Sequence, residues 1–178
     1  MSAGQGAPSS PRAGFARWRV PLGFAAVWLV LWLARPTPAT LTVGLPIALL
    51  GQALRIWAAG HLEKSREVTS SGPYRMTRHP LYAGSTLMGV GLAVASGHWA
   101  VAVIVGVYLA ATLWAAIRTE EAYLRAAFGA TYDRYSTGQL PTVSRRFSVE
   151  RALRNKEYRA PLGLLAVSLF LVWRAIGR

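Results

Sequence analysis

The chain has 178 residues, no Cys, and 20 Lys and Arg against seven Asp and Glu, a formal net charge of +13. Without Cys, disulfides, thiolate catalysis and Cys-ligated metal are excluded. Hydrophobic residues make up 53% of the chain, with seven Trp, and a bilayer is the simplest place for that much apolar surface. The charges fall between apolar blocks, which points to loops held against anionic lipid headgroups and away from nucleic acid.

Residues 1–19 read as a flexible basic N-terminus, rich in Gly, Ser, Ala and Pro and carrying Arg12, Arg17 and Arg19. The remainder, residues 20–178, reads as a single domain. An apolar run from Val20 to Ala34 is followed at once by Arg35-Pro36-Thr37-Pro38 and a second run, Ala39 to Ala59, so the pair is expected to form a helical hairpin rather than a cleaved leader. At 1.5 Å per residue the second run crosses a hydrocarbon core of roughly 30 Å, with Arg55 near its end expected to snorkel. A third run, Leu81 to Ser96, and a fourth, Trp99 to Ile117, are separated only by Gly97 and His98 and are predicted to be antiparallel neighbours. Small residues recur in the third run at Gly84, Ser85, Gly89, Gly91 and Ala95, as close helix packing in lipid requires. A last run, Pro161 to Trp173, is short for a full span.

The predicted fold is therefore an all-α polytopic membrane bundle of about five transmembrane helices, with a cytoplasmic amphipathic segment between the fourth and fifth. Basic residues support one orientation. Three lie in the N-terminus, four in the 60–80 loop and nine in 118–160, whereas the first hairpin has only Arg35 and the 97–98 turn none. The excess marks the cytoplasmic side, placing the N-terminus and both long polar segments there. The histidines His61 and His98 read as interfacial polar groups, and no metal site is expected.

The chemistry should lie in the two polar segments. In the first, Gly72-Pro73 reads as a turn and Pro80 suits the first position of a helix. That sets Arg78 and His79 beside the unpaired N–H groups of a helix start, an arrangement that suits anions. In the second, Leu124, Phe128, Tyr132 and Tyr135 follow helical spacing, and Glu120 and Glu121 emerge from the end of an apolar helix, where a carboxylate is costly to desolvate. The competing readings are a basic loop resting on lipid phosphates and two solvated glutamates paired with Arg118 or Arg125.

Gly-Pro-Tyr-Arg, then Arg-His-Pro-Leu-Tyr-Ala-Gly, then Glu-Glu-x-x-Leu-x-x-x-Phe-Gly-x-x-Tyr-x-x-Tyr after one hairpin resembles the isoprenylcysteine carboxyl methyltransferase family and the related phospholipid methyltransferases. The resemblance covers about residues 55 to 141. It implies a membrane methyltransferase with S-adenosylmethionine in a cytoplasm-facing pocket built from residues 71–84 and 118–141, lined by Tyr74, Arg78, His79, Pro80, Tyr82, Gly84 and Glu121. Arg78, His79 and helix-start N–H groups suit the cofactor's carboxylate, Tyr82 or Tyr74 its cation, and Glu121 its ribose or ammonium. The family's Val-Pro-Arg after the tyrosines is here Gln139-Leu140-Pro141-Thr142, with Arg145 and Arg146 later, so an acceptor-binding arginine does not carry over.

Methyl transfer to a lipid or lipid-attached acceptor, either a prenylcysteine carboxylate or a phospholipid amine, is the leading expectation. The alternatives are an NADPH-dependent reductase of the steroid reductase type, which shares Arg-His-Pro-x-Tyr, and a non-catalytic scaffold whose basic loops recruit anionic lipid. The sequence leaves the oligomeric state open.

Overall fold

The computed structural model describes residues 27–177. The chain divides into two compact units, residues 1–33 and 34–178. Of the first, residues 27–33 are helical, and the predicted basic N-terminus lies outside the described residues. The second unit contains α1 (Pro38–Ala59), a 3-10 turn (Gly72–Arg75), α2 (Pro80–Ala95), α3 (Trp99–Phe128), α4 (Ala130–Ser136), α5 (Val149–Arg154) and α6 (Arg159–Ile176). No strand occurs among the described residues.

Local sequence explains the boundaries. Thr37 caps α1 in a reciprocal box with Thr40, whose N–H donates to Thr37 Oγ1 at 3.2 Å while Thr40 Oγ1 accepts from the Thr37 N–H at 2.9 Å, and Pro38 fills the first turn. His98 caps α3, its Nδ1 accepting from the Ala100 N–H at 3.2 Å. The fourth predicted run does not stop at Ile117. It continues to Phe128 because Arg118 through Phe128 contains no breaker and several good helix formers. Gly129, at φ 47°, is the first residue able to end it.

Among the described residues, three helices, α1, α3 and α6, are long and apolar enough to cross a membrane, while α2, at 16 residues, is shorter. The last is longer than the predicted Pro161–Trp173, starting at Arg159 and ending at Ile176. Leu49, Leu50, Val103, Val107, Trp114, Leu162, Leu165 and Leu169 are exposed, as side chains facing lipid would be.

The tightest contact joins α1 and α2, which run antiparallel at backbone-to-backbone distance. A Cβ on Gly44 would sit 2.5 Å from the Gly91 carbonyl oxygen, and one on Gly51 would sit 2.7 Å from that of Gly84. The small-residue stripe is thus used on two faces. Gly84 and Gly91, seven apart, meet α1, whereas Gly89 meets Leu109 of α3. Nearby, Ala34, Ala95 and Leu171 form a buried cluster with Leu41, Leu45, Leu92, Val167 and Phe170 around it, tying α6 to the same pair.

Gly91→Leu is expected to destabilise the protein by about 1–3 kcal/mol, the usual cost of overpacking. Gly106→Leu, where a Cβ meets nothing within 4 Å, is expected to be neutral. Thermal unfolding of both variants in one detergent checks the difference.

Candidate functional site

The first polar segment is held from below before it presents any side chain. Ser70 Oγ donates to the Pro141 carbonyl at 3.2 Å and accepts from the Val143 N–H at 3.3 Å. His61 Nδ1 lies 3.2 Å from Ser71 Oγ. The His61 ring also lies against Gly72, whose φ of 55° and lack of space for a Cβ both call for glycine. The turn that follows buries Pro73 and Tyr74. Tyr135 on α4 donates its hydroxyl to the Tyr74 carbonyl at 2.9 Å, so the two polar segments are joined at two places.

They are joined a third time by their charges. His79 precedes α2 without capping it; its ring turns instead to Glu121, with Nε2 at 3.0 Å from Oε1, while Nδ1 lies 3.9 Å from Glu120. Arg78 lies 3.4 Å from the same Glu121 oxygen. The Tyr82 ring stacks on His79 with centroids 5.7 Å apart. Arg78, His79, Tyr82, Glu120 and Glu121 therefore form one cluster, in which Arg78 and His79 already face carboxylates of the chain itself.

The other expected site residues are placed differently. Pro80 is fully buried at the first position of α2. Gly84 faces α1, where a Cβ would meet Arg55 Cγ at 2.7 Å and the Gly51 carbonyl at 2.8 Å, so its position serves the helix contact. Tyr74 is buried beneath the cluster, and burial, with the Glu120 carboxylate, pushes its phenol well above the ordinary range. Tyr135 is pushed up to about 12, by burial and then by Tyr132. Both phenols are hydrogen-bond donors at neutral pH rather than bases.

Tyr132, outside the expected set, is 0% exposed, and its hydroxyl has no hydrogen-bond partner. The Arg125 guanidinium lies 5.6 Å from its ring centroid, and burial, then the Glu121 carboxylate, raises the phenol above its ordinary range. A buried hydroxyl without a partner is uncommon in native structures and calls for a reason. The helical spacing of Phe128, Tyr132 and Tyr135 is the signal that could have found it.

Among the described residues, no group of three or more His, Cys, Asp or Glu is placed to hold a metal ion. The orphaned Tyr132 hydroxyl, the Glu120 and Glu121 carboxylates and the stacked Tyr82 and His79 rings instead fit an organic ligand with hydroxyl, ammonium and cationic groups.

The family model for phospholipid methyltransferase matches residues 20–131. The chain belongs to the phospholipid methyltransferase family. It is 32% identical over 136 residues to cobalt-zinc-cadmium resistance protein CzcN of Cupriavidus metallidurans, covering 71% of this chain and 63% of that one. It is 30% identical over 145 residues to nickel-cobalt-cadmium resistance protein NccN of Alcaligenes xylosoxydans xylosoxydans, covering 76% and 66%. The chain thus spans just under two thirds of the length of these relatives. No solved structure matches it. The phospholipid methyltransferase match contains the whole His79–Glu121 cluster and ends just before Tyr132.

His61 supports this site, and its environment makes a pH prediction. Burial first, then Arg151 and Arg145, lowers its pKa from 6.5. The folded chain therefore keeps it neutral while the unfolded chain takes up a proton, so stability is held above 6.5 and falls as pH drops below it. The unfolding midpoint is expected to fall between about pH 7.5 and about pH 5.5, and His61→Gln to flatten that fall.

Proposed function

We propose that the chain transfers a methyl group from S-adenosylmethionine to a lipid or lipid-attached acceptor at the cytoplasmic face of a membrane. One observation carries this reading beyond family membership: His79 and Glu121, 42 positions apart, meet at 3.0 Å where both polar segments converge. S-adenosylmethionine would supply an electrophilic methyl on a sulfonium. Glu120, Glu121 and the Tyr132 hydroxyl would hold its hydroxyl and ammonium groups, the Tyr82 ring would face its positive charge, and Arg78 with His79 would share its carboxylate with Glu121.

The chain's contribution to such a reaction is positional. Methyl transfer is a direct displacement, so the protein has to align an acceptor atom with the methyl group and keep water out. Tyr74, Tyr132 and Pro80 are buried and would form a dry wall of such a site. A lipid acceptor would approach sideways between helices whose exposed faces are apolar. The basic loops would attract anionic headgroups nearby, at roughly 1 kcal/mol per Lys or Arg.

Calorimetry on the detergent-purified chain tests this reading. Micromolar binding of S-adenosylmethionine and none of NADPH is expected. Glu121→Ala should abolish binding, and Tyr132→Phe should weaken it about tenfold without lowering the unfolding midpoint, because the hydroxyl has no partner in the protein to lose. Binding of NADPH alone, or of neither ligand, would contradict it.

A further inference from the structure

A second polar cluster lies among α1, α2 and the start of α6, and methyl donation does not use it. Gln52 and Arg55 sit one turn apart on α1, Ser85 lies on α2, and Glu157 comes just before α6. Gln52 and Glu157 are only 4% and 7% exposed. Glu157 takes Arg55 in a two-point ion pair, Nε to Oε1 at 2.8 Å and Nη2 to Oε2 at 3.0 Å. Arg55 Nη1 donates to the Ser85 hydroxyl and, at 3.5 Å, to the Leu81 carbonyl. Ser85 in turn donates to Leu81 at 2.9 Å. Charge is cancelled inside the cluster, which leaves a carboxylate or phosphate no unpaired cation there.

Gln52 is the unfinished member. Its Nε2 donates to Glu157 Oε1 at 3.4 Å, while its Oε1 is buried without a donor. Turning the amide over would set oxygen against carboxylate oxygen, so the network itself selects this orientation. What the cluster lacks is a hydrogen-bond donor. Leu49 and Ile56, on the same helix face as Gln52 by spacing, are exposed apolar side chains, so hydrocarbon suits the surroundings. The cluster also borders the candidate cofactor site, because Leu81 and Ser85 belong to the helix that His79 opens.

We infer that Gln52 Oε1 is a recognition point for a lipid-like molecule whose head group carries an O–H or N–H donor, and that the Arg55–Glu157 pair disfavours a carboxylate at the same place. That this molecule is the methyl acceptor rests on the proposed function; the binding does not.

Native mass spectrometry of the full chain in detergent, with dodecanol, dodecylamine, dodecyl methyl ether and dodecanoate as probes, tests the inference. The alcohol and amine should bind about tenfold or more tightly than the ether and the carboxylate. Gln52→Leu should erase the alcohol–ether difference, and Ser85→Ala should leave it. Equal binding of alcohol and ether by the unmodified chain, a preference for dodecanoate, or a difference that survives Gln52→Leu would overturn it. If Gln52→Leu does not fold, the four probes on the unmodified chain still decide. A parallel titration with S-adenosylmethionine separates the two claims. Donor preference without cofactor binding would remove methyl transfer and leave the lipid site, and cofactor binding without donor preference would do the reverse.

Discussion

Both polar clusters depend on how closely α1 and α2 approach. Gly44 and Gly51 on one helix and Gly84 and Gly91 on the other let the two backbones meet without side chains between them. In lipid, where apolar side chains gain little by leaving the solvent, such contact and its dispersion energy hold helices together. It also fixes the register of α2. With Gly84 against Gly51, Ser85 falls beside Arg55, and the start of α2, with His79 and Tyr82, is held at the level where α1 ends. A larger residue at that contact would displace both polar clusters together.

Charge pairing then positions what the helices do not. Of seven acidic residues against 20 basic ones, Glu121 is paired with His79 and Arg78, Glu157 with Arg55, Glu67 with Arg145, and Glu63 with Arg151 and Arg154. The exposed members of such pairs contribute little stability singly. Their value here is geometric, because Glu63 and Glu157 link residues about a hundred positions apart. Asn155 adds two hydrogen bonds, to the Ala59 and Leu62 carbonyls, each at 2.9 Å. The end of α1 is therefore capped by the segment that leads into α6.

Much of this was legible in the sequence, for identifiable reasons. Apolar runs mark the helices because the bilayer demands length and composition, and Pro80 marks a boundary because its backbone chemistry allows little else. The order of the Arg-His-Pro and Glu-Glu segments pointed to the family and to the cluster that joins them. What was not legible is long-range. Gly84 carries no sign of whether it faces a pocket or a helix, and it faces α1. Arg55 looked free to snorkel and instead grips Glu157, a partner 102 positions away with no periodic signal around it. The continuation of α3 past Ile117 was hidden because the apolar run ends there, so the helical spacing beyond it read as a separate amphipathic segment, although its residues are good helix formers.

The most direct test of the central claim is to reconstitute the full chain in vesicles of mixed lipid, supply S-adenosylmethionine carrying a tritiated methyl group, and count label in the organic-solvent extract. The account predicts label in a lipid fraction from the unmodified chain and none from Glu121→Ala in the same vesicles. Lipid that stays unlabelled with the unmodified chain, or label that persists at the same rate in Glu121→Ala, would contradict it.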